Sequence, residues 1–486
     1  MNGVLLISLL GLCGVAAADP TPGGAGGATG AEQEAIAALR AAGAQVMQDF
    51  SPGAAPGSLH VADGSSLTFG DRELAYVAHV PNVTWLHCRL RSVTDAGLVH
   101  LAHLTTLRVL HLSGTGLDGS GLKHLAGLDR LEYLYLDWTR VSDASLATLS
   151  RLPKLVWLSL QDCPVGDEGM ARLAPTKSLK VLLVGGCPVT DAGVAQISKI
   201  KSLQRLDLTG TRVTDAGMAA LAALDGLREL KLGDGVTEAG LVPLGSLTNL
   251  QSIVLPAGIG DRGLAALRGN TELYYLAQLK GVTDDGIKHI AGMTHLMELS
   301  LAESRVTDAG LAALAGLREL KYLYLDGLPI TDAGVARLTG LAKLEELDLT
   351  RTKITDAGVK PLARLPLLNS LGLDGTGVGD AGLATLAQMT GLRHLSLRYT
   401  GVTDRGIARL AALPKLNMLS LKGTKVPDRS LKVLLHMDYL QFLEPSGAFT
   451  DEAWDEYIAE RERRWGVYMA KGVSGRDPEP APKAGH

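Results

Sequence analysis

Residues 93–116 read VTDAGLVHLAHLTTLRVLHLSGTG, and the spacing of their leucines decides the fold. Leu107, Leu110 and Leu112 form an L-x-x-L-x-L run, whose last two leucines alternate with other residues as in a short strand with one face turned inward. Leu98, Leu101 and Leu104 recur every third residue, the spacing of one apolar helical face. A stretch of this length therefore holds one strand and one short helix, and neither can bury its apolar side alone.

The same pattern recurs along most of the chain. Openings related to Val93-Thr94-Asp95 return at Val141, Val189, Val213, Ile330, Ile354 and Val402, giving fifteen units between Val93 and Phe449. Twelve are 24 residues long; those starting at Val213, Val236 and Ile259 are 23. A degenerate unit, Phe69 to Ser92, precedes them. Stacked units join their strands into one parallel sheet and their helices into an outer layer, burying a shared core. Strands are narrower than helices, so the sheet is expected on the concave side. The three short units each lack a residue in the turn after the strand, and a local change of curvature between Gly233 and Gly281 is expected there.

Within the repeat, Thr and Asp ahead of the helix are expected to cap it, the Asp also facing the positive end of the helix dipole. A Gly follows two residues later, as in Gly97 and Gly310; glycine is costly in a helix, so close packing against the neighbouring unit is expected to exclude a Cβ. The Thr near the end of each unit (Thr115, Thr139, Thr211, Thr352, Thr376, Thr400, Thr424) is expected to form a ladder that satisfies turn backbone groups. Cys163 and Cys187 replace it in two units, each followed by Pro, and are expected to be reduced.

At this point the chain resembles the leucine-rich-repeat superfamily, most of all its cysteine-containing subclass seen in F-box-type adaptors, and also secreted bacterial repeat proteins. The resemblance implies an α/β, right-handed solenoid with a parallel sheet on the concave face and short helices on the convex face. It implies a non-enzymatic binding scaffold and leaves the ligand open, because this architecture serves many ligands. No F-box-like segment precedes the repeats, so an adaptor role does not carry over.

The flanks complete the organisation. Residues 1–18 are expected to be a signal peptide: an apolar run from Val4 to Val15 ends in Ala16-Ala17-Ala18, although no Lys or Arg precedes it. This places the protein in the periplasm or outside the cell. Residues 19–31 read as a flexible linker, 32–68 as an N-terminal cap, 69–449 as the solenoid, 450–467 as a C-terminal capping helix and 468–486 as a disordered tail. Pro445 falls where a further strand residue needs a donor, so the sheet is expected to stop there. Four cysteines, one inside the leader, and a net charge of −4 argue against a disulfide framework and against nucleic acid as partner. No other segment is apolar enough to span a membrane. No catalytic or cofactor motif is found, so no cofactor and no enzymatic activity are expected. The chain is expected to be a monomer.

The variable positions are those pointing outward from each strand. One column runs Trp85, Val109, Tyr133, Trp157 and the next His87, His111, Tyr135, Ser159, with Trp138 just beyond its strand. Such an aromatic cluster marks a partner-binding patch, or packs upon itself. His87 and His111 supply only two nitrogens, short of a zinc site, with Asp137 the one acid near them; no metal is expected. Further along, Tyr275, Glu298, Tyr322, Tyr324, Asp326, Glu346 and Asp348 form a second, acidic and aromatic patch suited to a basic partner. The expected partner is another protein, with a cell-envelope glycan stacking on the aromatic patch as the alternative.

Overall fold

The computed structural model describes residues 30–49, 57–63 and 69–465. The expected signal peptide and C-terminal tail lie outside these residues, as does the linker apart from Gly30 and Ala31, which open a helix Gly30–Ala41. The described chain divides into two compact units. One runs to Val165 and includes Pro175–Leu179; the other comprises Gly166–Ala174 and everything from Lys180 onward.

The first unit carries strands β1 (Gln45–Gln48), β2 (Leu59–Ala62), β3 (Val83–His87), β4 (Val109–His111), β5 (Tyr133–Tyr135) and β6 (Trp157–Ser159). β1 pairs antiparallel with β2, and β2 through β6 pair in parallel, each with the next. The second unit carries β7 (Val181–Leu183), β8 (Arg205–Asp207), β9 (Glu229–Lys231), β10 (Ser252–Val254), β11 (Tyr275–Leu276), β12 (Glu298–Ser300), β13 (Tyr322–Tyr324), β14 (Glu346–Asp348), β15 (Ser370–Gly372), β16 (His394–Ser396), β17 (Met418–Ser420) and β18 (Phe442–Glu444). All twelve pair in parallel, in sequence order.

The leucine positions explain this arrangement. Leu98, Leu101, Leu107, Leu110 and Leu112 are fully buried, and so are their counterparts in later units, such as Leu311, Leu314, Leu320, Leu323 and Leu325. Each such side chain contributes about 1.5–3 kcal/mol on leaving water. The middle residue of each three-residue strand faces this core, while the residues on either side face away from the helices, onto what we call the open face. The helical segments vary. Asp167–Leu173, Asp191–Ile197 and Asp215–Leu221 are α-helices, whereas Gly97–Leu101, Ser120–Leu125 and Gly310–Gly316 are 3-10 turns. A segment this short is nearly all terminus, where the tighter pattern is common.

The opening Thr and Asp divide their labour differently from expectation. Thr190 caps its helix, accepting from the Ala192 N–H. The Asp instead reaches into the next unit: Asp167 accepts from the Thr190 backbone N–H at 2.8 Å and its hydroxyl at 2.6 Å. Asp191 does the same with Thr214, Asp308 with Thr331, and Asp380 with Thr403. The carboxylate still sits in the first helical turn, but its hydrogen bonds clasp one repeat to its successor. This clasp also accounts for the glycine: a Cβ on Gly310 would lie 2.4 Å from Asp284 Oδ1, and one on Gly193 2.4 Å from Asp167 Oδ1.

The threonine ladder is present. Thr115, Thr139, Thr352 and Thr424 each donate to the carbonyl three residues earlier, at 2.6–2.7 Å. Cys163 joins it, its thiol donating to the Leu136 carbonyl at 3.1 Å. Cys88, Cys163 and Cys187 are buried and remain thiols, outside any disulfide. Among the short units, Gln278 adopts a left-handed backbone (φ 64°) and stays exposed, which lets Leu279 enter the core in its place.

β18 ends at Glu444, one residue before Pro445. A helix, Asp451–Trp465, follows; its Tyr457 and Arg461 are buried, and Arg461 donates to the Met437 carbonyl at 3.2 Å. No helix among the described residues is long and apolar enough to cross a membrane.

Candidate functional site: the open faces of the sheets

Parallel register brings the aromatic residues of the first unit together. Trp85 lies beside Val109, Val109 beside Tyr133 and Tyr133 beside Trp157; His87, His111, Tyr135 and Ser159 follow one another in the adjoining column. The rings touch in series. Trp85 stacks near His87 at a centroid distance of 6.4 Å, His87 meets His111 at 4.5 Å, and His111 stacks on Tyr135 at 4.8 Å. Trp157 closes the row at 6.0 Å from Tyr135 and 6.4 Å from Tyr133. These ring separations fall in the range of favourable aromatic pairs.

One member of the row was not apparent from the repeats. His60, on β2, sets its ring edge-on to Trp85 at 4.5 Å. It lies in the Leu59-His60-Val61 run, which has no counterpart in the repeat and so gave no column to read. Its Nε2 lies 2.9 Å from Asp49 Oδ1.

The row is half-buried by its own members and uncharged at neutral pH. Burial pulls the His87 imidazole below its ordinary range. Burial, followed by the nearby His87 and Arg89, takes His111 down to about 3. Burial pushes the Tyr135 hydroxyl up to about 12. Trp85 Nε1, His87 Nε2 and His111 Nδ1 are sealed from solvent without a hydrogen-bond partner, a cost that the neighbouring ring faces offset only in part. Asp137 is not available to a metal held by the two histidines. It accepts from Ser113 Oγ at 3.1 Å, from the Gln161 N–H at 2.8 Å and from Ser159 Oγ. No group of three or more metal-ligating side chains occurs among the described residues.

Trp138 stands outside this stack. It follows β5 in a left-handed conformation (φ 56°) and is 60% exposed. Its large indole face is thus left in water.

The second unit treats its open face in two ways. On β8 and β9 the charges neutralise one another across strands: Arg205 with Glu229 and Lys231 with Asp207, each at 3.1 Å. On β11 to β14 they do not. Tyr275, Glu298, Tyr322 and Glu346 form one column, and Ser300, Tyr324 and Asp348 another. Burial raises the Glu298 carboxyl above its ordinary range, and Glu346 pushes the same way. Burial likewise raises Glu346, aided by Asp348 and opposed by a hydrogen bond from Tyr324 and by His394. Asp348 accepts from the Thr350 N–H at 2.9 Å. Asp326 is separated from the patch: it lies beyond β13, and its carboxylate is held by the Arg351 guanidinium, Nε at 3.1 Å. The column then continues through Ser370 and His394 to Met418 and Phe442. These last two are 40% and 57% exposed and were not singled out in the sequence.

The sequence profile of the family described as leucine-rich repeat region matches residues 89–338, and that of a leucine-rich repeat matches residues 340–363. The chain belongs to the leucine-rich-repeat family. A leucine-rich-repeat protein of Leptospira interrogans superposes with a TM-score of 0.52 at 20% identity, covering 71% of this chain and 91% of that one; it shares the fold. An internalin of Listeria monocytogenes matches at TM-score 0.39 and 22% identity, over 75% of this chain and 86% of its own. The ectodomain of an Arabidopsis thaliana receptor kinase, solved with Casparian strip integrity factor 2, matches at TM-score 0.42 and 15% identity, over 77% and 57%. No curated protein sequence matches the chain.

Proposed function

We propose that the chain is a non-catalytic scaffold that binds another protein on the open faces of its sheets. It does so as a monomer outside the cytoplasm, once the apolar leader is removed. The observation that carries this reading is Trp138, a solvent-exposed indole at the end of β5 beside a continuous half-buried ring row. A large exposed aromatic next to a half-buried ring row is the kind of surface that marks an interaction site. Family membership agrees, since stacked repeats present long open surfaces suited to recognition.

The test is capture at the surface of the producing cells by wild-type and Trp138→Ala chains, with brief cross-linking. Trp138 fills no core space, so the substitution leaves the thermal melt unchanged. We expect a defined protein on the wild-type chain and a loss of about tenfold or more on the variant, the scale of a hot-spot truncation. Equal recovery removes this site. Recovery of glycan in place of protein overturns the class of partner.

A further inference from the structure

We propose that the open face of the second unit seats an extended, basic segment of a protein partner, one Lys or Arg side chain resting among Glu298, Tyr322, Glu346 and Asp348 and a large apolar side chain about six residues away on Met418 and Phe442. This deepens the binding reading above and rests on it.

Three observations lead here. First, Glu298, Glu346 and Asp348 have no cationic partner among the ion pairs of the described residues, whereas the nearby cations are engaged elsewhere: Lys280 with Glu303, Lys321 with Glu345, Arg351 with Asp326 and Arg398 with Glu444. The same unit neutralises β8 and β9 with cross-strand pairs, so the unneutralised row is a local exception. Second, the acids alternate with tyrosines. Carboxylates and aromatic ring faces are the two groups that attract an ammonium or guanidinium, and a half-buried setting strengthens both. Third, Gly372 follows Asp348 in its column. A Cβ there would lie 2.5 Å from Asp348 Oδ1, so the glycine makes room for that carboxylate to lean over β15 on the open face.

The apolar end sets the spacing. Glu346 and Phe442 occupy the same column four strands apart, roughly 19 Å at the usual interstrand distance. An extended chain covers that in about six residues. The ground between them, Ser370, Gly372, His394 and Ser396, has small side chains apart from the imidazole, and leaves room for a backbone to cross.

The experiment titrates the full-length chain with fluorescent nine-residue peptides of Gly and Ser carrying Arg at the second place and Phe at the eighth, read by anisotropy. Control peptides replace Arg by Glu, or bring Arg and Phe two residues apart. We expect the Arg–Phe peptide to bind at least about tenfold tighter than either control, with an affinity that falls as salt rises. The isosteric variant E298Q/E346Q/D348N removes the preference for Arg over Glu, and M418S/F442S removes the dependence on Phe. Circular dichroism confirms that both variants fold; if one does not, E346Q alone or F442S alone supplies that arm. Equal affinity for the Arg and Glu peptides overturns the proposal. So does unchanged binding by the acid-neutralised variant, or no binding by any peptide up to roughly 1 mM. Trp138-dependent capture is read on the other unit. It survives if only this inference is wrong, and fails if the scaffold reading itself is wrong.

Discussion

The open faces of the two units, built on the same repeat, handle polar groups in opposite ways. In the first, imidazole, indole and phenol rings from β2 to β6 lie against one another and stay neutral, His111 titrating only near 3. In the second, β11 to β14 hold carboxylates between tyrosines, and burial raises Glu298 and Glu346 above their ordinary range. The first row stabilises the unit that carries it. The second costs stability in the free protein, and a partner cation would recover that cost. Outward strand positions are free of the core, so one scaffold accommodates both.

Four measurements break or sharpen this contrast. The largest effect is expected from Trp85→Ala, which opens the ring row between His60 and His87. Urea unfolding should show a loss of about 2 kcal/mol, below the range for a fully buried Trp because the indole is only partly buried. Tyr322→Ala on the second row should cost less than about 1 kcal/mol. Equal losses would mean the two rows do the same structural work.

Next comes pH. The folded imidazoles of His87 and His111 bind protons more weakly than unfolded ones, which titrate near 6.5. The unfolded state therefore takes up more protons once pH drops through that value. Stability from these groups is present above about pH 6.5 and declines steadily toward pH 3. We expect a loss on the order of 1 kcal/mol between pH 7 and 4.5, after allowing for partial exposure. The variant H87Q/H111Q should flatten that slope; a slope unchanged in the variant would place the titration elsewhere.

The second row carries the opposite sign. Its carboxyls are raised in the folded state, so the ionised form is the costly one, and that cost is relieved as pH falls through the folded values. E298Q/E346Q should raise the neutral-pH Tm by about 1–3 °C, with the gain vanishing below about pH 4. A lowered Tm would mean that the carboxylates are already compensated. The smallest effect is expected from R205A/E229A. This pair is partly exposed and screened by solvent, so less than about 0.5 kcal/mol should be lost, chiefly at low salt.

Much of this was legible in the residue pattern. The leucine spacing defines the strand and helix of each unit. Because side chains alternate across a strand, the columns Trp85–Val109–Tyr133–Trp157 and Tyr275–Glu298–Tyr322–Glu346 could be written down and are found in register. Some features escaped. His60 sits on a hairpin outside the repeats. The partner of the repeated Asp is a neighbour 23 residues on, whereas local capping logic looks only a few residues ahead. Asp326 looked free because its partner Arg351 belongs to the following turn. Met418 and Phe442 are ordinary apolar letters whose exposure only the packed column reveals.

The central claim is that recognition takes place on the open faces of the sheets. Hydrogen–deuterium exchange of the full chain, alone and with the captured partner, tests it most directly. The account predicts added protection in peptides spanning β3 to β6, including Trp138, with little change in the helical segments such as Asp191–Ile197. Protection confined to the helical segments, with the strands and Trp138 unchanged, would contradict it.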